Sequence, residues 1–315
     1  MTPAVEANGV GKRYGTLLAL ENLSFAAQPG EVIGVLGPNG AGKTTAIRVL
    51  TTVLPPSRGS FSVAGVPHSR PAEIRRLVGV LPESAGYPEG QTGDEYLRYH
   101  ARLFGRSRAS ARAVAETLLA QVGLADRRRS LIAGYSRGMR QRLGIARALI
   151  NDPSVVFLDE PTLGLDPAGQ RQVLALVRQI TSERGATVLL STHLLAEVEE
   201  VCSRVLILNR GRVAAEGTVS EITRRAAAPR SARLRVAAEH VDRARETLTA
   251  AAGIQSVEAA DGQLGYLTAT LNGDASAAGM NDGLRALAEA GVPLLAFELE
   301  GARLSDAFLA MTEDR

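Results

Sequence analysis

Residues 37–45, GPNGAGKTT, concentrate the residue types that hold a phosphate chain. They fit G-x-x-x-x-G-K-[ST] in full, between a short apolar run at Val32–Leu36 and a helical pattern from Thr44 to Leu50. Gly37, Gly40 and Gly42, with Pro38, Asn39 and Ala41 between them, let the backbone curl so that successive N–H groups face one anion. Lys43 supplies a compact charge to the terminal phosphates of a nucleotide. Thr44 supplies a hydroxyl to Mg²⁺, and Thr45 closes the loop.

A second set is VVFLDEPTLGLDP, residues 155–167. Here an apolar strand ends in two carboxylates, at the end of a sheet where such folds bind ligands. Asp159 suits Mg²⁺, directly or through water, and Glu160 suits a general base polarising an attacking water. His193, in LLSTHL after another strand-like run, is placed to hydrogen-bond a terminal phosphate or that water. The third set, YSRGMRQR at 135–142, opens a helix. Ser136 is a good N-cap, and Met139, Leu143, Ala146 and Ile150 recur at helical spacing. Its bare N-terminus, with Ser136, Arg137 and Gly138, is a second anion site, for which the chain's own phosphate loop leaves no use.

These residues need elements to hold them. Residues 1–30 alternate like edge strands. Residues 93–123 and 136–150 read as helical, and strand-like runs lie at Val155–Leu158, Thr187–Ser191 and Val205–Leu208. Strands alternating with helices predict a mostly parallel sheet wrapped by helices. The stretch RRAAAPRS, 224–231, breaks the pattern and reads as a linker. Beyond it, strand 232–237, helix 240–252, strands 255–260 and 265–271, helix 277–290 and strand 293–299 give the β-α-β-β-α-β order of a ferredoxin-like unit, closed by a helix at 304–312. The organisation expected is therefore a phosphate-binding domain over 1–225, with a run of helices at about 84–150, a linker at 226–231 and an accessory domain at 232–315.

Composition narrows the class. The 315 residues carry a net charge of only +3, and the region from Glu239 onward holds 13 acidic residues against five arginines, so no nucleic-acid partner is expected. The single cysteine, Cys202, excludes an intrachain disulfide and fits a reducing compartment. Apolar stretches fall well short of the ~20 residues of a membrane span. The first residues lack the pattern of a signal peptide. A soluble, cytoplasmic chain is expected.

Taken in order, GPNGAGKT, YSRGMRQR, LDEPTLGLDP and STH resemble the nucleotide-binding subunit of an ABC transporter, over residues ~5–220. The resemblance implies a P-loop α/β domain with a helical subdomain. It implies ATP and Mg²⁺ as cofactors, a homodimer docked head to tail, and a separately encoded membrane permease on whose cytoplasmic face the dimer sits. Tyr14, in KRYG, matches the aromatic that stacks on adenine, an interaction worth about 1–3 kcal/mol. Ser136 and Gly138, with Arg137 and Met139 beside them, match the signature that caps the partner's ATP. Leu165 and Asp166 match the loop joining the two sites, and His193 the switch histidine.

Two departures stand out. The signature, usually Leu-Ser-Gly-Gly-Gln, is here Tyr-Ser-Arg-Gly-Met, and Glu83 stands where the family carries a metal-linked glutamine. The ending ARLSDAFLAMT resembles ATPases of bacterial daunorubicin-resistance exporters, which implies export of a drug, antibiotic or lipid-like compound. Three alternatives share such a head. A chromosome or repair ATPase would carry long heptad insertions, and none appears between Lys43 and Ser136. A translation-factor ATPase would carry two heads and a basic linker. An importer ATPase would use the tail to bind a regulatory ligand.

Overall fold

The computed structural model describes residues 2–225, 231–259, 265–271, 277–300 and 304–312. The chain divides into two compact units, Met1–Val219 and Ser220–Glu313.

In the first unit the strands are β1 (Val5–Tyr14), β2 (Leu17–Ala27), β3 (Val32–Leu36), β4 (Arg58–Val63), β5 (Val66–Pro67), β6 (Val78–Leu81), β7 (Val155–Asp159), β8 (Thr187–Thr192), β9 (Arg204–Asn209) and β10 (Arg212–Thr218). Its helices are α1 (Lys43–Leu50), α2 (Pro71–Leu77), α3 (Gly93–Leu103), α4 (Arg108–Gln121), α5 (Arg137–Ala148), α6 (Pro167–Arg184) and α7 (Leu195–Val201). Ten strands form one sheet in the order β5-β4-β1-β2-β10-β9-β3-β8-β7-β6. The segment β9-β3-β8-β7-β6 is parallel throughout. The β1/β2/β4/β5 wing is antiparallel and joins it through Arg212 of β10 opposite Asn22 of β2.

Every residue of β3, β7 and β8 is buried. That is why these strands read as unbroken apolar runs: helices or strands cover both faces. Successive side chains nevertheless part to opposite sides. Val156 and Leu158 of β7 join the core under α3–α6, whereas Val155 and Phe157 join the core under α1 and the antiparallel wing. The helical subdomain is built on capped helices. Thr92 and Glu95 form a reciprocal capping box at the start of α3, and Ser107 caps α4. The elements β4, β5, α2 and β6 are too short for their periodicity to be read from sequence.

Strand register aligns the ends of the central strands. Asp159 pairs with Ser191, and Leu36 with Thr192, so β3, β7 and β8 end together. The carboxyl edge of the parallel sheet carries all three of the expected phosphate, carboxylate and histidine segments.

The second unit contains β11 (Ser231–Val236), α9 (Val241–Thr249), β12 (Ile254–Ala259), β13 (Tyr266–Leu271), α10 (Ala277–Glu289), β14 (Leu294–Glu300) and α11 (Leu304–Thr312), preceded by α8 (Val219–Arg225) at the boundary. Its sheet runs β12-β13-β11-β14, antiparallel throughout. Ala232, Leu234, Leu267 and Ala269 turn inward onto Leu248, Met280 and Leu287. Arg233 and Arg235 lie over the ring of Tyr266 at 5.3 and 5.5 Å. Of the expected linker, Ser231 begins β11 and the rest lies outside the described residues.

Candidate functional site

The chain leaves β3 into a loop that only glycine can trace. A Cβ on Gly37 would fall 2.5 Å from the Leu208 carbonyl oxygen, and Gly42 holds φ 103°, a left-handed conformation. Helix α1 follows at once, with no side chain capping its first N–H groups and no acidic residue in its first turn. Those free donors, together with the helix dipole, make an anion-binding end. They open on a cleft of about 550 Å³, lined by Tyr14, Leu18, Asn39–Thr45, Glu83, Glu160, Leu163 and His193. Its size suits a nucleotide.

Charged groups meet on the cleft floor. Lys43 is 7 % exposed; its Nζ donates to the carbonyls of Gly37 (2.8 Å) and Pro38 (3.3 Å) and lies 3.4 Å from Glu160 Oε1. Glu160 Oε2 is 2.8 Å from His193 Nδ1, so this carboxylate bridges the lysine and the histidine. With the carboxylate as acceptor, His193 carries its proton on Nδ1 and keeps Nε2 for another partner. Beside them Thr44 Oγ1 donates to Asp159 Oδ1 at 3.2 Å. The two oxygens form the hard donor pair that a Mg²⁺ held mainly by phosphates and water requires.

Glu160 itself has φ 48°, left-handed for a residue with a Cβ. Ser191 holds it there: the Glu160 N–H donates to the Ser191 carbonyl (3.1 Å) and hydroxyl (3.0 Å), and that hydroxyl donates to Asp159 at 2.5 Å. Tyr14, 41 % exposed, stands at the end of β1 with Lys12 Nζ 5.5 Å from its ring centroid. Glu83 reaches the cleft from the segment after β6.

The 136–139 segment is not among the residues lining this cleft. Ser136 caps α5, its Oγ accepting from the Met139 N–H at 3.2 Å. Arg137 lies against Gly164, where a Cβ would be 2.5 Å from its Nη1. A Cβ on Gly138 would meet nothing closer than Leu165 Cδ2 at 3.9 Å, and Asp166 caps α6 through the Gly169 N–H at 3.1 Å. The signature helix therefore adjoins its own chain's Leu165–Asp166 loop. The departures in the motif are used locally. Met139 packs against the core. Tyr135 is buried, with its hydroxyl donating to the Arg127 carbonyl at 2.8 Å, and burial holds that hydroxyl above its ordinary pKa.

Sequence reasoning passed over Ser191, Thr162, Thr192 and Glu197, all buried next to these strand ends. For Thr162, Ser191 and Thr192 the available signal was their place inside DEPT and STH, whereas Glu197 lies four residues past His193 with no such signal; the contacts of all four depend on a strand register that no local pattern encodes.

Residues 20–163 match the family model for the ABC transporter. The daunorubicin resistance ATP-binding protein DrrA3 of Streptomyces coeruleorubidus is 44% identical over 220 residues, spanning 70% of this chain and 69% of that protein. The chain belongs to the ABC transporter family, as an ATP-binding subunit. The Nod factor export ATP-binding protein I of Paraburkholderia xenovorans is 40% identical over 220 residues, 70% of this chain and 72% of the relative. Among solved structures, an ATP-binding subunit of an ABC transporter is 35% identical with a TM-score of 0.64, covering 71% of this chain and 93% of the other. A dimeric ATP-binding cassette bound to ADP and Pi is 25% identical with a TM-score of 0.62, over 68% and 98% of the two chains. As an ABC ATP-binding subunit the protein is an ATPase with the P-loop α/β fold expected from its motifs. Among the described residues, no helix is long and apolar enough to cross a membrane.

Proposed function

We propose that two copies of this chain dock head to tail around two ATP molecules and drive a separately encoded membrane permease from its cytoplasmic face. The cargo class we propose is a drug, antibiotic or lipid-like compound moved outward, by analogy with relatives named for daunorubicin resistance and Nod factor export. The observation that carries the ATPase reading is the meeting of Lys43, Glu160 and His193 beside Thr44 and Asp159, at the bare N-terminus of α1.

In this reading the phosphates of ATP lie along the N–H groups of residues 37–45, and adenine stacks on Tyr14. Lys43 exchanges the Gly37 and Pro38 carbonyls for phosphate oxygens. That exchange releases its hold on Glu160, which then takes a proton from the attacking water. His193, held by Glu160 through Nδ1, turns Nε2 to the terminal phosphate. Thr44 and Asp159, with Glu83 at the rim, hold Mg²⁺, which supplies positive charge to the phosphates. Ser136 and Gly138, at the start of α5, close the site of the partner copy, where free N–H groups face its terminal phosphate. Leu165 and Asp166 lie between the two sites.

The metal assignment is tested by Asp159→Asn. Losing one carboxylate from the donor set should raise the Mg²⁺ concentration for half-maximal ATP turnover roughly 10–100-fold. A metal titration of wild type and variant reads this directly, and an unchanged midpoint would remove Asp159 from the metal site.

The residues that line the cleft all belong to the first unit. Deletion of residues 232–315 should therefore leave ATP affinity within about twofold, since no phosphate contact is lost. Calorimetric titration of the folded truncation checks this. Loss of binding would contradict the division of labour between the units. A small molecule that alters turnover of the full chain but not of the truncation would favour a regulatory tail.

A further inference from the structure

On the buried side of the strand ends stands a carboxylate that has no task in the proposed hydrolysis. Glu197, in the first turn of α7, is 3 % exposed. Its two oxygens accept from two threonine hydroxyls: Oε1 from Thr162, and Oε2 from Thr192 at 2.7 Å. The Thr192 hydroxyl also accepts from the Leu194 N–H at 3.0 Å, so its hydrogen goes to Glu197. Neither described partner of the carboxylate is a cation. Its charge registers on Cys202, whose thiol is pushed up to about 12 by burial first and by Glu197 second. Burying an ion without a counter-charge is unfavourable, and an apolar side chain of the same volume would fill the space at less cost.

Where its two partners lie gives Glu197 a mechanical role. Thr162 is two residues after Glu160, and Thr192 is one residue before His193. The Thr162–Glu197–Thr192 bridge thus spans, from inside, the same gap that Glu160 and His193 span at the cleft floor. We propose that Glu197 is a positioning residue for hydrolysis, clamping the turn that carries Glu160 to the strand end that carries His193. The clamp rests on the reading of Glu160 as the base. A carboxylate accepts from both hydroxyls at once; an amide has one acceptor oxygen, which the Thr192 hydrogen claims, so the Thr162 hydrogen loses its acceptor. Glu197→Gln therefore frees one side of the clamp with little change in volume.

The test is a double-mutant cycle on the purified full chain, comparing wild type, Glu197→Gln, Glu160→Gln and the double variant. Glu197→Gln should lower kcat roughly 10–100-fold, the effect of a misplacement of about an ångström, with KM for ATP and the melting temperature nearly unchanged. In the Glu160→Gln background it should cost nothing further, because no base remains to be positioned. A kcat within twofold of wild type, while Glu160→Gln is dead, overturns the clamp alone. So does a loss that multiplies with that of Glu160→Gln. Wild-type turnover in Glu160→Gln overturns the base reading, and the clamp with it. Should Glu197→Gln fail to fold, Thr162→Val, which removes one hydroxyl and keeps the side chain's shape, decides the same comparison.

Discussion

Glu160→Gln should retain ATP binding while turnover falls roughly 10²–10⁴-fold, the range expected when a general base is lost. The amide can still accept a hydrogen bond from Lys43 or His193, so the cleft floor survives; what it cannot do is take a proton from water. Binding and hydrolysis should therefore separate in one variant, with an ATP-stabilised dimer accumulating. Equilibrium binding, turnover and sedimentation measure the three quantities. Unchanged hydrolysis would remove Glu160 from its role.

A larger effect is expected from disabling either half of the proposed composite site. Lys43→Ala removes the buried ammonium next to Glu160 and should damage nucleotide binding itself. Ser136→Arg places a bulky side chain at the mouth of α5, where the partner's terminal phosphate is proposed to dock. It should abolish hydrolysis while sparing the phosphate loop. Mixed together, the two inactive proteins should complement. In a mixed dimer the intact loop of the Ser136→Arg chain faces the intact signature of the Lys43→Ala chain, and the opposite site carries both lesions. Recovery is at most about half the wild-type rate per mixed dimer when the two sites act independently. Because strict coupling of the sites can mask hydrolysis, ATP-dependent dimerisation is followed in parallel. No recovery in either measurement would mean that residues 136–139 serve their own chain.

The phosphate loop was legible because its chemistry is local: three glycines and one lysine at fixed spacing dictate a backbone shape whatever surrounds them. The parallel sheet was legible for a related reason, since strands covered on both faces must be apolar throughout, as Val32–Leu36 and Val155–Leu158 are. The second unit's strand and helix succession could also be followed, because β11 and β13 alternate inward and outward along their whole length. Ser191 and Glu197 could not be found this way. Nothing in LLSTHLLAEVE says which serine or glutamate will be buried against which neighbour until Asp159 is paired with Ser191. The signature departures fall between these cases. Tyr135, Arg137 and Met139 were visible as unusual residues. That Tyr135 anchors to the Arg127 carbonyl, that Arg137 needs the missing Cβ of Gly164, and that Met139 serves the core are facts of tertiary packing.

The left-handed backbone at Glu160 sets local strain against a buried ion pair at a single position. A side chain bearing a Cβ in that conformation costs on the order of 1–3 kcal/mol, and glycine there would relieve the strain while deleting the carboxylate. Against that relief stands the loss of the buried partner of Lys43, which costs about 3–5 kcal/mol, so the ion pair rather than the backbone decides what a library screened only for heat resistance would keep here.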